Sequence, residues 1–333
     1  MRKKYIRIIV TVLGGGLLLL ALGIFLPSRA KTETVRIAPE MTLREITNHL
    51  SQKGLLRTPR LFILVAKISE KEKRLKAGLY EFPLRSSPFQ ALQKLVHGET
   101  AVVRITIPEG WCAREIAKRL EHKDLCSQEK FLAVTLKQKM EGFLFPNTYF
   151  ISSEFSAEKI AITFRDGFNN IWKPEWDLQA KRVKLSKKDV VTLASIIERE
   201  AQSTEEKAIV SSVFHNRLRK KMRLEADPSI FYALGSWSTH LTPRLMRTNS
   251  PYNTYLHRGL PPGPICNPGE QSIKAALYPA KTNYFFFVAV GNGTHIFSRT
   301  GSEQNAAIRK IRLRKKLEAV TQAETGKQTG KQP

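Results

Sequence analysis

Two carboxylates and a guanidinium stand together in Leu193-Ala-Ser-Ile-Ile-Glu-Arg-Glu-Ala201, at the end of an apolar run. Val190, Leu193, Ala194, Ile197 and Ala201 recur at helical intervals and predict an amphipathic helix. At about 100° per residue, Glu198 and Glu200 flank the apolar arc and Arg199 points away from it. Glu200 follows Ile197, Ile196 and Leu193 within two helical turns, which draws it toward the buried side. A carboxyl on the margin of an apolar face is costly to ionise, so its pKa should rise. The negative end of the helix dipole pushes the same way. A Glu that stays protonated near neutrality is what a general acid requires. The competing reading is a solvated Glu-Arg-Glu turn without chemistry, since charged residues at the edge of an apolar arc are common.

The neighbouring segments position this stretch. Ser186 and Asp189 form an S-x-x-D helix start, and Ser203-Thr-Glu-Glu206 repeats the signal, so a second helix is expected over 204–221. The break between them leaves Glu200 at an elbow. Asn216 and Arg217 fall near the second helix's end, before Met222-Arg-Leu-Glu-Ala-Asp-Pro228. They read as solvated helix-end residues or, if buried, as groups that need a partner such as Asp227 or a substrate. Asn249-Ser-Pro-Tyr-Asn-Thr-Tyr255 comes next, and then Gly259-Leu-Pro-Pro-Gly-Pro264. The Pro and Gly content of the latter excludes a helix and suits either a fixed cleft wall or an ordinary long loop. Upstream, Glu141-Gly-Phe-Leu-Phe-Pro-Asn-Thr-Tyr-Phe150 reads as a loop and strand whose aromatics serve as core or as a sugar platform. Strands over 284–290 and 295–297 around Gly291-Asn-Gly293 form an expected hairpin, with His295 structural or facing substrate.

The chain has 333 residues, 55 Lys+Arg against 29 Asp+Glu, and a net charge of +26. This favours anionic partners. The excess is spread evenly, with no zinc pattern, RNA-binding signature or aromatic-basic repeat, which argues against nucleic acid. Met1 to Arg7 is basic, and Ile8 to Leu26 is uncharged and close to the roughly 20 residues that span a bilayer. An uncleaved anchor with a cytoplasmic N-terminus is expected, a cleaved signal peptide being the alternative. Cys112, Cys126 and Cys266 cannot all pair with one another, and they lack metal spacing. Buried thiols are expected, a Cys112–Cys126 bridge being open to geometry.

After the anchor, a strand near Val35, helices opened by Thr42-Leu-Arg-Glu45 and Thr58-Pro59, and a strand over 76–82 suggest a small α+β module of the LysM kind. A plain spacer would show the same pattern. A helix follows from Ser87-Pro88 to Gly98, then a strand over 102–107 and a helix from Ala113. A helix at about 156–170 and a polar Trp/Pro-containing loop precede the focal helix. A basic helix over 302–323 ends the chain before a disordered tail.

Seven motifs in order resemble the YceG-like (MltG-type) membrane-anchored endolytic murein transglycosylases. They are the Glu141–Tyr149 and Leu193–Ala201 segments, Val213-Phe-His-Asn-Arg-Leu218, Met222–Pro228, Ser250–Tyr255, Gly259–Ile265 and Pro279-Ala-Lys-Thr282. Asn147, Arg199 and Glu225 depart conservatively from the family pattern. The resemblance implies an α+β architecture: residues 1–7 in the cytoplasm, a transmembrane helix over 8–26, a linker and LysM-like module over 27–108, a catalytic domain over 109–323 and a tail over 324–333. It implies Glu200 as the essential acid, with Glu198, Asn216, Arg217, Asp227, Tyr252 and Asn253 as residues that bind or orient substrate. It implies peptidoglycan glycan strands as substrate, a place at the cytoplasmic membrane beside wall-synthesis enzymes, and neither metal nor cofactor. Hydrolysis at the same site, or a non-catalytic glycan scaffold, are the alternatives.

Overall fold

The computed structural model describes residues 31–201, 203–237, 241–291 and 293–314. The expected anchor and tail lie outside them. Among the described residues no helix is long and apolar enough to cross a membrane. Among the described residues the fold is mixed α+β, rich in helix, with three two-stranded sheets. They divide into two compact units, one comprising the described residues up to Ile105 with Lys123–Leu125 and Phe150–Ser156, the other the remaining described residues.

The first unit opens with β1 (Thr32–Ile37), α1 (Leu43–Gln52), α2 (Pro59–Ile68) and β2 (Gly78–Pro83), followed by α3 (Pro88–His97). β1 and β2 pair antiparallel, Val35 opposite Tyr80. Local signals fix the helix starts. Thr42 and Glu45 make a reciprocal capping box at α1, and Ser87 caps α3, which ends at Gly98 in the left-handed region. The core gathers Ile37, Leu50, Phe62, Tyr80, Phe82 and Leu95. At about 1.5–3 kcal/mol per buried large apolar side chain, these hold the unit together. β3 (Val102–Thr106) follows and pairs with β4 (Thr148–Ser152).

The second unit contains α4 (Ala113–His122), α5 (Gln128–Lys137), α6 (Ala157–Ile171), α7 (Pro174–Arg182), α8 (Lys187–Glu200), α9 (Thr204–Arg219), α10 (Asp227–Leu234) and α11 (Glu270–Leu277). The hairpin β5 (Phe286–Ala289) and β6 (His295–Ser298) pairs Phe287 with Phe297. A last helix, α12, covers 301–314, and the rest of its expected length is outside the described residues.

Two expectations change here, and two that were left open are decided. The polar Trp/Pro segment expected as a loop is α7. Pro174 opens that helix, where its missing N–H costs nothing, and Trp176 and Ala180 face the core. At α9, Ser203 caps Glu205 N–H alone, without the reciprocal bond of a capping box. His295 is engaged by Glu206, which takes both its backbone N–H and, at 2.7 Å, its Nδ1. All three cysteines are free, Cys112 and Cys266 being buried.

α8 is the centre of this unit. Every residue from Val190 to Ile197 is buried, so the helix is enclosed on all sides instead of along one arc. Ile265 N–H donates to Ser195 Oγ at 3.0 Å and ties the proline-rich segment to it. At Gly142 (φ 86°) a Cβ would stand 2.4 Å from Pro264 and 2.9 Å from Val191. Gly142→Ala should therefore cost roughly 2–4 kcal/mol, from a left-handed backbone combined with overpacking. Urea unfolding of the variant measures this, and an unchanged midpoint would show that the wall yields.

Candidate functional site

Ser186 and Asp189 build the start of α8 as a full capping box, with Asp189 N–H donating to Ser186 Oγ at 3.1 Å and Ser186 N–H to Asp189 Oδ2 at 3.0 Å. The helix ends at Glu200, where Ala201 turns extended (ψ 116°). Glu200 is half-buried. Its pKa is pushed up to about 8, first by desolvation and second by the negative charge of Asp227, while Arg217 opposes both. The direction is the one expected from sequence. The second cause is tertiary, where the helix dipole had been expected to act.

Asp227 begins α10, and its Oδ1 accepts the Tyr255 hydroxyl. Tyr255 feels desolvation, that hydrogen bond, and the charges of Asp227, Glu200 and Glu225, all of which hold its phenol protonated. Asp227, Tyr255 and Glu200 thus form one electrostatic cluster. Tyr255 was in a motif noticed in the sequence but was not singled out, and its link to Asp227 bridges 28 positions that no local pattern reveals.

Arg217 is buried, and its carboxylate partner is Glu225 at 3.0 Å in place of the expected Asp227. Its Nε donates to Phe285 O and its Nη1 to Arg223 O and Leu224 O. This fastens the end of α9 to the strand behind it, and the guanidinium still reaches Glu200 electrostatically. Asn216 is used internally as well, its amide donating to Thr282 O and Tyr284 O. Asn253 is fully buried. It donates to Met246 O and Thr248 O and accepts Tyr255 N–H, so it holds the loop that presents Tyr252 and Tyr255. Neither amide is open to solvent.

Glu198 sits two residues from Glu200 but faces a different environment. Its Oε1 lies 3.0 Å from Lys207 Nζ and its Oε2 accepts Gly269 N–H at 2.9 Å. The two ion-pair side chains are only 8% and 6% exposed. The pair locks α8 to the starts of α9 and α11. Glu109 stands at the same place: a Cβ on Gly269 would strike its carboxyl, and Glu198's charge adds to burial in raising its pKa. Arg199 packs its guanidinium 3.4 Å from the Trp237 ring centre and 3.9 Å from Glu115.

A second carboxyl also titrates near neutrality. Burial pushes Glu141 up to about 7, against hydrogen bonds that lower it. It differs from Glu200 in being fastened. It accepts Ala113 N–H at the start of α4, the Tyr232 hydroxyl at 3.3 Å and Asn267 Nδ2 at 3.2 Å. Glu200 has no side-chain hydrogen bond among the described residues. Glu200 is thus a raised carboxyl not fastened by a side-chain hydrogen bond among the described residues; Glu109 is another, and it answers to the charges of Glu198 and Lys207. Tyr252 belongs with Glu141, its ring centre 5.0 Å from that of Tyr232. No group of three or more metal-ligating side chains occurs among the described residues.

Comparison with known proteins gives consistent matches. The YceG-like family profile matches residues 35–310. The endolytic murein transglycosylase of Bacillus subtilis (strain 168) is 31% identical over 303 residues, covering 83% of this chain and 84% of that protein. A protein of the same name from Streptococcus pneumoniae serotype 2 (strain D39) is 27% identical over 301 residues, covering 78% of this chain and 54% of its own length. The crystal structure of a yceG-like protein from Listeria monocytogenes overlays with a TM-score of 0.54 at 31% identity, covering 84% of this chain and 99% of that one.

Proposed function

The chain belongs to the YceG-like family, and we propose that it is an endolytic murein transglycosylase in which Glu200 acts first as acid and then as base. The single observation that carries this assignment of the acid is the raised carboxyl at the end of an enclosed helix, without a side-chain hydrogen bond among the described residues. With its pKa at about 8, Glu200 is mostly protonated at neutrality. It gives that proton to the glycosidic oxygen between N-acetylmuramic acid and N-acetylglucosamine as the bond from that oxygen to muramic C1 breaks. The resulting carboxylate takes the proton of the muramic 6-hydroxyl, and O6 closes on C1. The product is a 1,6-anhydro end, and Glu200 is again protonated. No water enters, so no second carboxylate is needed to activate one. Asp227 keeps the Glu200 proton in place, and Tyr255 holds Asp227.

The same reading includes a membrane anchor over 8–26 that holds the catalytic unit at the outer face of the cytoplasmic membrane. It takes the β-α-α-β segment 32–83 as a LysM-like glycan-binding module, and it sets the protein beside the wall-synthesis enzymes whose nascent strands it cuts. The antiparallel β1–β2 pair flanking two helices supports the module.

Mass spectrometry of fragments released from uncrosslinked glycan strands by residues 31–333 tests the chemistry. Anhydro-ended products are expected. Reducing ends would make the enzyme a hydrolase, and no fragments would favour a scaffold.

The pH profile follows from the raised acid. Below about 8 the proton is present, so kcat/KM should hold on the acid side and fall about tenfold per unit above that value. Asp227→Asn removes the charge that helps raise the pKa, and should move this alkaline limb down by roughly 0.5–1 unit. A limb that stays in place would detach Asp227 from the acid.

A further inference from the structure

A cavity of about 1010 Å³ lies in the second unit. Its walls include Phe143, Tyr232, Tyr252, Pro262 and Pro264, and Arg114, Lys139 and Lys188 also line it. Arg114 is held in place, its Nη2 donating to Tyr232 O at 2.7 Å and its guanidinium lying 5.2 Å from the Tyr232 ring centre. Lys139 and Lys188 are exposed, and their ammonium groups have neither ion pair nor hydrogen bond among the described residues. The one acid in the lining is Glu141, whose carboxyl is turned to the wall by Ala113, Tyr232 and Asn267. Three cations thus face one committed carboxyl across apolar walls, a combination that suits a carboxylate-bearing ligand with an aliphatic body.

The cavity shares its supports with the acid. Lys188 and Glu200 stand at opposite ends of α8, twelve residues apart, or about 18 Å along the axis. α10 carries both Asp227 and Tyr232, and one loop carries both Tyr252 and Tyr255. A ligand part seated at the Lys188 end is too far from Glu200 to belong to the sugar being cut. On the reading of this chain as a murein transglycosylase, we propose that the cavity takes the acidic peptide stem of a muramic residue remote from the scissile bond. The peptide's carboxylates meet Arg114, Lys139 and Lys188, and its aliphatic portions meet the tyrosine and proline walls. The enzyme would then distinguish peptide-bearing strands from stripped ones.

The test uses the full chain as Glu200→Gln with uncrosslinked glycan strands, either peptide-bearing or stripped of peptides by an amidase. Peptide-bearing strands should bind about tenfold tighter, equivalent to about 1.4 kcal/mol. Lys139→Ala with Lys188→Ala should abolish that difference while leaving the affinity for stripped strands unchanged. Equal binding of both strands by the parent, or an equal loss for both in the variant, would overturn the proposal. Calorimetric titration of free stem peptide separates this proposal from the reading it rests on. Peptide binding by a protein that cuts no glycan would sink the transglycosylase reading and keep the cavity's ligand. Glycan cleavage with neither peptide binding nor preference would do the reverse.

Discussion

Glu200→Gln is expected to lower glycan cleavage by on the order of 10³-fold or more, because one carboxyl makes both proton transfers. The same substitution should make the protein more stable. In the folded chain Glu200 holds its proton up to about 8, whereas in the unfolded chain a Glu ionises near about 4.3. A group whose folded pKa is raised contributes most below the unfolded value, and that contribution is lost as pH climbs to the folded value. Gln has no proton to defend. Its advantage should be near zero at about pH 4 and reach roughly 1–3 kcal/mol by pH 8. Calorimetric unfolding at both pH values, alongside product mass spectra, reads the two effects together. An inactive variant that is also less stable at pH 8 would point to damage to the fold in place of lost chemistry. Full activity would move the acid elsewhere, with Glu141 the next carboxyl to try.

The second large effect is structural. Lys207→Ala should destabilise the protein by roughly 3–5 kcal/mol, because it leaves the partner charge buried and unpaired. Lys207 Nζ lies 3.0 Å from Glu198 Oε1, and both side chains are almost wholly enclosed. Glu109 adds to the cost: Lys207 lowers its pKa and Glu198 raises it, so without the lysine two carboxyls face each other alone. Replacing both members of the pair, as Glu198→Gln with Lys207→Met, should recover most of the loss, since neutral side chains of similar size need no counterion. Denaturant midpoints for the wild type and the two variants decide this. A Lys207→Ala protein as stable as wild type would show that water reaches the pair.

Much of the frame could be read from local signals. Ser186 with Asp189, Thr42 with Glu45 and Ser87 before Pro88 each marked a helix start that the structure places at the same residue. Glu200 stood out because its spacing from Ile196 and Ile197 put it at the edge of an apolar arc. Three helices escaped. α7 opens on a proline and buries only Trp176 and Ala180, so its period was too weak to see. α5 likewise buries only Phe131 and Thr135, and α10 is eight residues long and begins with Asp-Pro. The environment of the acid was even less visible. Asp227 and Tyr255 reach it from distant segments, and Asn216, Arg217 and Asn253 spend their polar groups on backbone carbonyls of other elements. Sequence spacing could mark these residues as unusual but could not say which way each side chain faced.

The enclosure of α8 from Val190 to Ile197 has a consequence for how the acid meets its substrate. A helix gripped on every side has no looser arrangement to visit short of unfolding its surroundings. The backbone that carries Glu200 is therefore preorganised. The entropy of fixing it is settled when the chain folds, so glycan binding need only orient the glycan and one side chain.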